Sequence, residues 1–336
     1  MRVKREELLQ QLESVSPGLA ARELIEQSSC FVFKDGRVFT FNDEVACSIE
    51  CLVADTVAGA VVAKPLIELL SKLPDDEIDV SMGKERVLVK GKRRRAEVVM
   101  EAEMALPIDS VESPGEWVEL EREFLDAVNI TQAVAGKGKD TNFNLTCVHI
   151  HPERVEACDN YQAARYPVDT KVKSSCLIRQ ASIQYVPQLG MTEISECEAW
   201  THFRNPAGLV LSCRRWKEDY ENLDPIFDCA GSKATLPGGL AEVVDRASIF
   251  SAENAKDDNI FVHMKNGKLL VRGEGLTGKF EEQRDIKFDG DISFLIAPKL
   301  LVEITQRAND CVIGDGRLRI DAERFVYVSC LGAVPD

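Results

Sequence analysis

The hydrophobic and polar positions of the chain repeat in one order three times. Each copy opens with a segment whose apolar residues recur every three or four positions, which predicts an amphipathic helix. These helices are predicted at residues 5–15, 121–134 and 240–247. Two alternating runs joined by a polar turn follow each helix, which predicts a β-hairpin. The hairpins are predicted at residues 30–41, 147–157 and 260–271.

Two of the three predicted hairpins contain a dipeptide that favours a tight turn. Asp35-Gly36 and Asn266-Gly267 suit tight turns, because glycine accepts a positive φ without strain. A second helix is predicted in each copy, at residues 61–70, 177–186 and 295–304. Pro65 and Pro298 fall at the same place in their copies, where a proline in the first helical turn is tolerated. Each copy is predicted to close with strands, within residues 87–100, 199–216 and 317–330.

The spacing of these features supports an internal repeat. Gly36 precedes Pro65 by 29 residues and Gly267 precedes Pro298 by 31, in copies more than 200 residues apart. Turn-rich linkers are predicted at residues 112–115 and 231–233. The pattern predicts an α+β protein of three repeated domains, each with two helices packed on an antiparallel sheet. The predicted domains are residues 1–112, 113–233 and 234–336.

The net charge and the cysteine content of the chain limit the functional classes to which it can belong. The 336 residues carry a net charge of −15, which argues against a simple basic nucleic-acid binder but allows a protein with its cations on one face. The 11 cysteines form no CxxC pair, so we expect reduced thiols in a cytoplasmic protein and no zinc site. The charged start of the chain has no apolar segment behind it, and no apolar run is long enough to span a bilayer.

Two apparent motifs do not indicate chemistry. Residues 273–278 spell GxGxxG, but alternating strand-like sequence follows where a dinucleotide site needs an apolar helix, so we interpret them as a connection between strands. His149 and His151 share one face of a predicted strand, and two ligands alone do not make a metal site. With no nucleophile elbow or triad signature, we expect no catalytic residues, no cofactor and no enzyme activity.

Several segments resemble one known family. Residues 14–22, 245–251 and 325–331 are similar to segments of the bacterial DNA polymerase III beta subunit, the DNA sliding clamp. Residues 155–165 resemble its ATDGHRLA stretch, in which Asp159 matches and Asn160-Tyr161-Gln162 replace the usual Gly-His-Arg. The resemblance covers nearly the whole chain. It identifies the chain as a divergent member of cellular or phage origin.

The resemblance implies a processivity factor that surrounds duplex DNA. Two three-domain chains would close head to tail into a homodimeric ring, with helices lining the hole and weak, sequence-independent phosphate contacts permitting sliding. The candidate DNA-contacting cations lie on or beside the predicted helices. They are Lys4, Arg22, Lys64, Lys72, Lys137, Lys139, Arg179, Arg246, Lys299 and Arg307. The more basic run at residues 90–95 falls on a predicted strand and turn, and we interpret it as outer-edge or interface charge.

The resemblance also implies two protein contacts. Polymerase and clamp-loader subunits would insert short apolar peptides into a pocket between the second and third domains. Its residues would be Leu145, Cys158, Asn160, Tyr161, Gln162, Pro225, Val328, Cys330 and Leu331. The contact between protomers would use Val98 of the first domain with Ile249 and Phe250 of the third.

Two other functions stay open at this point. The altered residues 160–162 allow a clamp-like protein that recruits or sequesters other factors without serving a polymerase. A nucleotide-binding enzyme that uses residues 273–278 is the third hypothesis, from a different functional class.

Overall fold

The computed structural model describes residues 1–54, 58–83, 85–137, 142–251 and 259–334, apart from the side chain of Arg307. The fold is α+β, with antiparallel sheets and few helices. The chain forms two compact units. Unit 1 comprises residues 1–132, 147–153 and 168–218, and unit 2 comprises residues 133–146, 154–167 and 219–336.

The described residues of the first copy form two helices and eight strands. The helices are α1 (Arg5–Ser14) and α2 (Ala63–Lys72). The strands are β1 (Arg2–Lys4), β2 (Cys30–Lys34), β3 (Arg37–Phe41), β4 (Val45–Glu50), β5 (Gly59–Val62), β6 (Glu77–Met82), β7 (Arg86–Lys90) and β8 (Arg95–Glu101). Single 3-10 turns lie at Ser16–Gly18 and Ile108–Ser110.

In the part of the middle copy that the structure describes there are one long helix, three short ones and nine strands. The helices are α3 (Arg122–Val134), α4 (Gln180–Ile183), α5 (Tyr185–Gln188) and α6 (Asp224–Phe227), with a 3-10 turn at Phe143–Thr146. The strands are β9 (Val118–Glu119), β10 (Cys147–His151), β11 (Arg154–Cys158), β12 (Gln162–Pro167), β13 (Cys176–Arg179), β14 (Glu193–Glu196), β15 (Trp200–Arg204), β16 (Val210–Arg214) and β17 (Ser232–Thr235).

The last copy again has two helices, which pack against each other. They are α7 (Leu240–Ser251) and α8 (Pro298–Arg307). The strands are β18 (Ile260–Lys265), β19 (Lys268–Gly275), β20 (Gly278–Asp285), β21 (Asp291–Ile296), β22 (Asp310–Gly314), β23 (Arg317–Asp321) and β24 (Val326–Cys330).

Unit 1 is built on a continuous twelve-stranded sheet, in the order β1-β6-β7-β8-β5-β2-β3-β4-β16-β15-β14-β9. Its strands β4 and β16 pair antiparallel from Val45 opposite Cys213 to Val210 opposite Ser48. The first and middle copies therefore share one sheet. A second pair in this unit joins β10 to β13.

Unit 2 contains the strand order β11-β12-β24-β23-β22-β17 and a four-stranded sheet, β20-β19-β18-β21. Strand β12 pairs antiparallel with β24, with Gln162 opposite Ser329 and Arg165 opposite Val326. The middle and last copies are thus joined by a continuous sheet as well. Because the sheets run from one copy to the next, they are consistent with a chain that divides into two units. The three domains with boundaries near residues 112 and 233 stay a prediction.

Helix α7 lies directly on β19, and this close packing requires a glycine at position 273. A Cβ atom at Gly273 would lie 1.8 Å from the carbonyl oxygen of Ala247, so no other residue permits this close approach. Leu240, Val243 and Val244 are buried on the same helix. The GxGxxG segment thus supplies a packing glycine and the β19–β20 turn, which confirms its interpretation as a connection between strands.

The first helix and the hairpin of each copy are confirmed, with small shifts at their ends. The second helix was predicted to begin too early. Residues 61–62, 177–179 and 295–296 are strand residues, because Val61, Leu177 and Leu295 pair with the hairpin strands β2, β10 and β18. In the middle copy the rest of this helix is two short turns, α4 and α5. The predicted linker at 231–233 is also wrong in part, because Ser232 begins β17, which pairs with β22.

Candidate functional site

Five of the predicted DNA-contacting cations belong to unit 1. Lys64 and Lys72 are exposed on α2, whereas Leu66 and Leu70 of the same helix are buried, so the helix presents a cationic face to solvent. Neither lysine forms an ion pair with a described residue. Arg22 is exposed in the loop that follows the 3-10 turn. These three side chains are available to a phosphate.

The other two unit 1 cations are already paired. Lys4, which ends β1 rather than lying on a helix, donates to Glu7 at 2.6 Å. Arg179, which ends β13, pairs with Glu44 at 2.7 Å. The Lys4–Glu7 pair is exposed, and exposed ion pairs contribute about 0–1 kcal/mol, so a phosphate can replace Glu7 at small cost. The Arg179–Glu44 pair is half-buried.

The remaining five cations fall in or after the helices of unit 2. Lys137 is exposed just after α3, and Lys139 lies outside the described residues. Arg246 on α7 is held by Glu282 at 2.7 Å. Lys299 is exposed on α8, 3.9 Å from Glu303, and Arg307 ends that helix. Because α7 and α8 pack together, Arg246 and Lys299 lie on adjoining helices.

Unit 2 also contains an apolar cluster around Cys158. Buried Cys158, Ala163, Leu223, Phe227 and Val328 pack together. Four half-buried side chains cover them, namely Leu145, Tyr220, Ile226 and Val326. The structure thus brings together three of the predicted pocket residues, Leu145, Cys158 and Val328. We call these nine side chains the Cys158 cluster.

A tight turn beside the cluster carries three more of the predicted pocket residues. The Asp159 carboxylate accepts the backbone N–H groups of Tyr161 and Gln162 at 2.7 and 2.8 Å. Gln162 in turn accepts the hydroxyl of Tyr327 at 2.7 Å, and the N–H of Cys330 donates to the Tyr161 carbonyl. Asn160 is exposed at the tip of the turn. The Tyr161 side chain is 65% exposed, so an aromatic ring stands free beside the cluster.

Helix α6 is fixed by arginines from neighbouring strands. Arg165 pairs with Asp224 at 2.7 Å, and its guanidinium lies 4.7 Å from the centre of the Phe227 ring. Arg317 donates to the carbonyl of Pro225 at 2.8 Å, and Arg319 donates to that of Phe227 at 2.6 Å. Pro225 therefore belongs to the anchored helix that contributes Ile226 and Phe227 to the Cys158 cluster. Leu331 is not among the residues of the Cys158 cluster, and its N–H donates to the Gly316 carbonyl.

The polar groups of the cluster are neutral at physiological pH. Burial raises the pKa of the Cys158 thiol and the pKa of the Tyr220 hydroxyl. The Tyr220 hydroxyl accepts the backbone N–H of Cys158 at 3.0 Å and lies 3.4 Å from its sulfur. This arrangement is an apolar surface with a few fixed polar groups.

Four residues of the cluster, which α6 and the segment before it contribute, were not predicted from the sequence: Tyr220, Leu223, Ile226 and Phe227. The sequence around them nevertheless contains features that favour a short helix. Residues 220, 223 and 227 have helical spacing, Asn222 accepts the N–H of Asp224, and Pro225 occupies the first turn. The helix is only four residues long, so the spacing of its apolar residues is weak evidence for a helix.

The residues predicted to form the contact between protomers differ in their exposure to solvent. Ile249 on α7 is 65% exposed, whereas Phe250 is half-buried and packs so close to β20 that a Cβ atom at Gly278 would lie 3.0 Å from its ring. Val98 is half-buried on β8 and the adjacent Val99 is largely exposed. Strand β20 is the edge of its sheet, and an edge strand offers unpaired backbone groups to another chain.

Two other observations concern the described residues as a whole. Among them, no three His, Cys, Asp or Glu side chains are grouped as metal ligands would be. No helix in the described part of the chain is both long and apolar enough to cross a membrane.

Comparison with known proteins identifies the fold. No family model matches the chain. No curated protein matches its sequence either. Solved structures do match over the full length of the chain. The beta chain of DNA polymerase III from Streptococcus pneumoniae has a TM-score of 0.84 at 15% identity, with 99% of each chain covered.

Two further clamps agree over the same length. The sliding clamp of Pseudomonas aeruginosa bound to griselimycin has a TM-score of 0.83 at 15% identity, covering 99% of both chains. The beta sliding clamp of C. crescentus, with polyethylene glycol at a region proposed to tether the beta motif, has a TM-score of 0.82 at 17% identity and the same coverage. The chain therefore has the fold of the DNA polymerase III beta subunits, the bacterial sliding clamps.

Proposed function

We propose that the chain is a DNA sliding clamp, a non-catalytic processivity factor that encircles duplex DNA as a ring of two protomers. The agreement in fold with polymerase III beta subunits over 99% of both chains carries this proposal. The exposed cations on α2 and α8 support it, because a ring of protomers that each carry a net charge of −15 needs its positive charge on the face toward DNA. The predicted contacts are with phosphates and carry no sequence information.

The two free lysines of α2 test the DNA contact. We expect Lys64→Ala with Lys72→Ala to weaken DNA binding and to make the plot of log K against log salt less steep by about two, since each phosphate contact contributes ~0.9 to the slope. Fluorescence anisotropy with a duplex at several salt concentrations measures this. The control is Lys265→Ala with Lys268→Ala, two exposed lysines of the β18–β19 hairpin that are paired with Asp291 and Asp285. Equal slopes for the two double variants would contradict the proposed face.

We further propose that the Cys158 cluster and the Asp159–Gln162 turn bind short apolar peptides of polymerase and clamp-loader subunits. Support comes from the packing of Leu145, Cys158 and Val328 and from the free ring of Tyr161. The matching clamp from Pseudomonas aeruginosa binds griselimycin, which makes that compound a suitable probe. Exposed apolar anchors beside a buried floor are the usual source of peptide affinity.

Tyr161 gives a test that leaves the fold intact. We expect Tyr161→Ala to weaken binding of griselimycin or of a polymerase tail peptide by about 1–2 kcal/mol, because truncation removes an exposed aromatic anchor. Calorimetry measures the change. Leu24→Ala, at a 92% exposed leucine of unit 1, is the matched control and should leave binding unchanged. If griselimycin and tail peptides bind neither the native chain nor the variants, the chain is a clamp-like protein that serves other partners.

A further inference from the structure

The segment that follows β8 is fastened across the twelve-stranded sheet of unit 1. Near its start, the buried side chain of Gln27 accepts the backbone N–H groups of Ala105 and Leu106 at 2.8 and 3.3 Å. At the other end, the Glu112 carboxylate accepts the N–H of Ala199 at 2.8 Å. The Cys197 thiol donates to the Ser113 carbonyl. We call residues 105–114 the strap.

A cavity of about 380 Å³ lies between the strap and the sheet. Ile108, Val111 and Glu112 line it from the strap, and Phe39, His202 and Ser212 line it from the sheet. A volume of this size falls within the range of small-molecule sites, ~300–1,000 Å³. Its apolar walls belong to side chains that pack against the buried cluster of Val32, Phe41 and Trp200, so the walls are held in place.

His202 lines the cavity and has a buried polar atom without a hydrogen-bond partner in the described part of the chain. Ser212 lies directly opposite it on β16, and its hydroxyl is 2.8 Å from Nδ1 of the ring. The side chain is almost fully buried, and its Nε2 atom has no hydrogen bond to any described residue. A buried nitrogen without a partner costs free energy, and a ligand that donates a hydrogen bond to it would recover that cost.

Charge favours a cationic ligand. Three carboxylates, of Asp35, Asp109 and Glu112, line the cavity together with one ammonium group, that of Lys34. Lys34 pairs with Asp109 at 3.8 Å, so two carboxylates remain in excess. Burial lowers the pKa of His202 to about 4, so the ring is neutral at physiological pH and adds no positive charge.

We propose that this cavity binds a small organic cation with an apolar body. The body packs against Phe39, Ile108 and Val111, and a protonated amine donates to the Glu112 carboxylate and to Nε2 of His202. In that arrangement Nδ1 carries the proton of the ring and donates to the Ser212 hydroxyl. The site belongs to unit 1 and is separate from the proposed DNA and peptide contacts.

Binding of three matched probes to the full chain tests the charge preference. Benzylamine is protonated at neutral pH, benzyl alcohol is its neutral analogue, and benzoate is its anionic analogue. We expect calorimetry to show one saturable benzylamine site with at least about tenfold higher affinity than for either analogue, as a charge-assisted hydrogen bond implies. Equal affinities for the three probes, or no saturable benzylamine binding, would overturn the proposal.

Two glutamine variants locate the site. Glu112→Gln keeps an oxygen for the Ala199 N–H but loses the charge, so we expect about tenfold weaker benzylamine binding with benzyl alcohol unaffected. Glu116→Gln removes a nearby exposed carboxylate that does not line the cavity and should change nothing. In ¹⁵N-histidine spectra, benzylamine should shift the Nε2 resonance of His202. Equal effects of the two variants, or an unmoved Nε2 resonance, would place the amine elsewhere.

Discussion

Burial determines the charge of His202. The residue is 1% exposed on β15 of the twelve-stranded sheet, with Ser212 beside one ring nitrogen. Burial disfavours the protonated form and lowers the pKa to about 4, from 6.5 in the unfolded chain. The sequence places His202 on a strand, but burial depends on the strap that crosses it, which no local pattern predicts.

The shifted pKa makes folding stability depend on pH. Below about 6.5 the unfolded chain binds a proton that the folded chain takes up only near pH 4, so this contribution is present above pH 6.5 and is lost as the pH falls to 4. We expect a loss of about 3 kcal/mol from His202 over this window. Urea unfolding at several pH values measures it. His202→Gln should flatten the curve by that amount, and identical pH dependence in both proteins would contradict the pKa.

At the level of elements, local periodicity predicted the first helix and the hairpin of each copy. It failed where apolar pairs such as Val61-Val62 and Leu295-Ile296 precede the second helix, because such pairs suit a strand and a helix equally. Their strand pairing to Phe31 and Phe261 is remote in sequence and decides the outcome. Helix α6 was missed for a related reason. Its four residues are stabilised by Arg165, Arg317 and Arg319 rather than by their own pattern.

The predicted contact between protomers includes Ile249 and Phe250 of α7. We expect Ile249→Arg to convert a dimer into monomers, because it places a charge on an exposed apolar residue of α7 beside the edge strand β20. Sedimentation velocity measures the mass. Leu24→Arg, at a 92% exposed leucine of unit 1, is the control and should remain dimeric. A dimeric Ile249→Arg variant would show that the contact lies elsewhere.

On the scale of the whole molecule, the sheets join neighbouring copies of the repeat. The pairs β4–β16 and β12–β24 bridge the predicted domain boundaries, so each unit is held by a sheet that two copies share. The sequence predicted the threefold order of elements from spacing, but these pairings join residues about 165 positions apart and leave no local trace. Of the site residues, Leu145, Cys158 and Val328 were predicted together only through the resemblance to sliding clamps.

Encirclement of DNA is the property that most directly distinguishes a sliding clamp from other DNA-binding proteins. Protein assembled on a nicked circular duplex is washed at salt that removes nonencircling binders, and half of the sample is then cut once with a restriction enzyme. We expect the protein to remain on the circle and to leave the linear duplex through its ends. Equal loss from circular and linear DNA would contradict the ring.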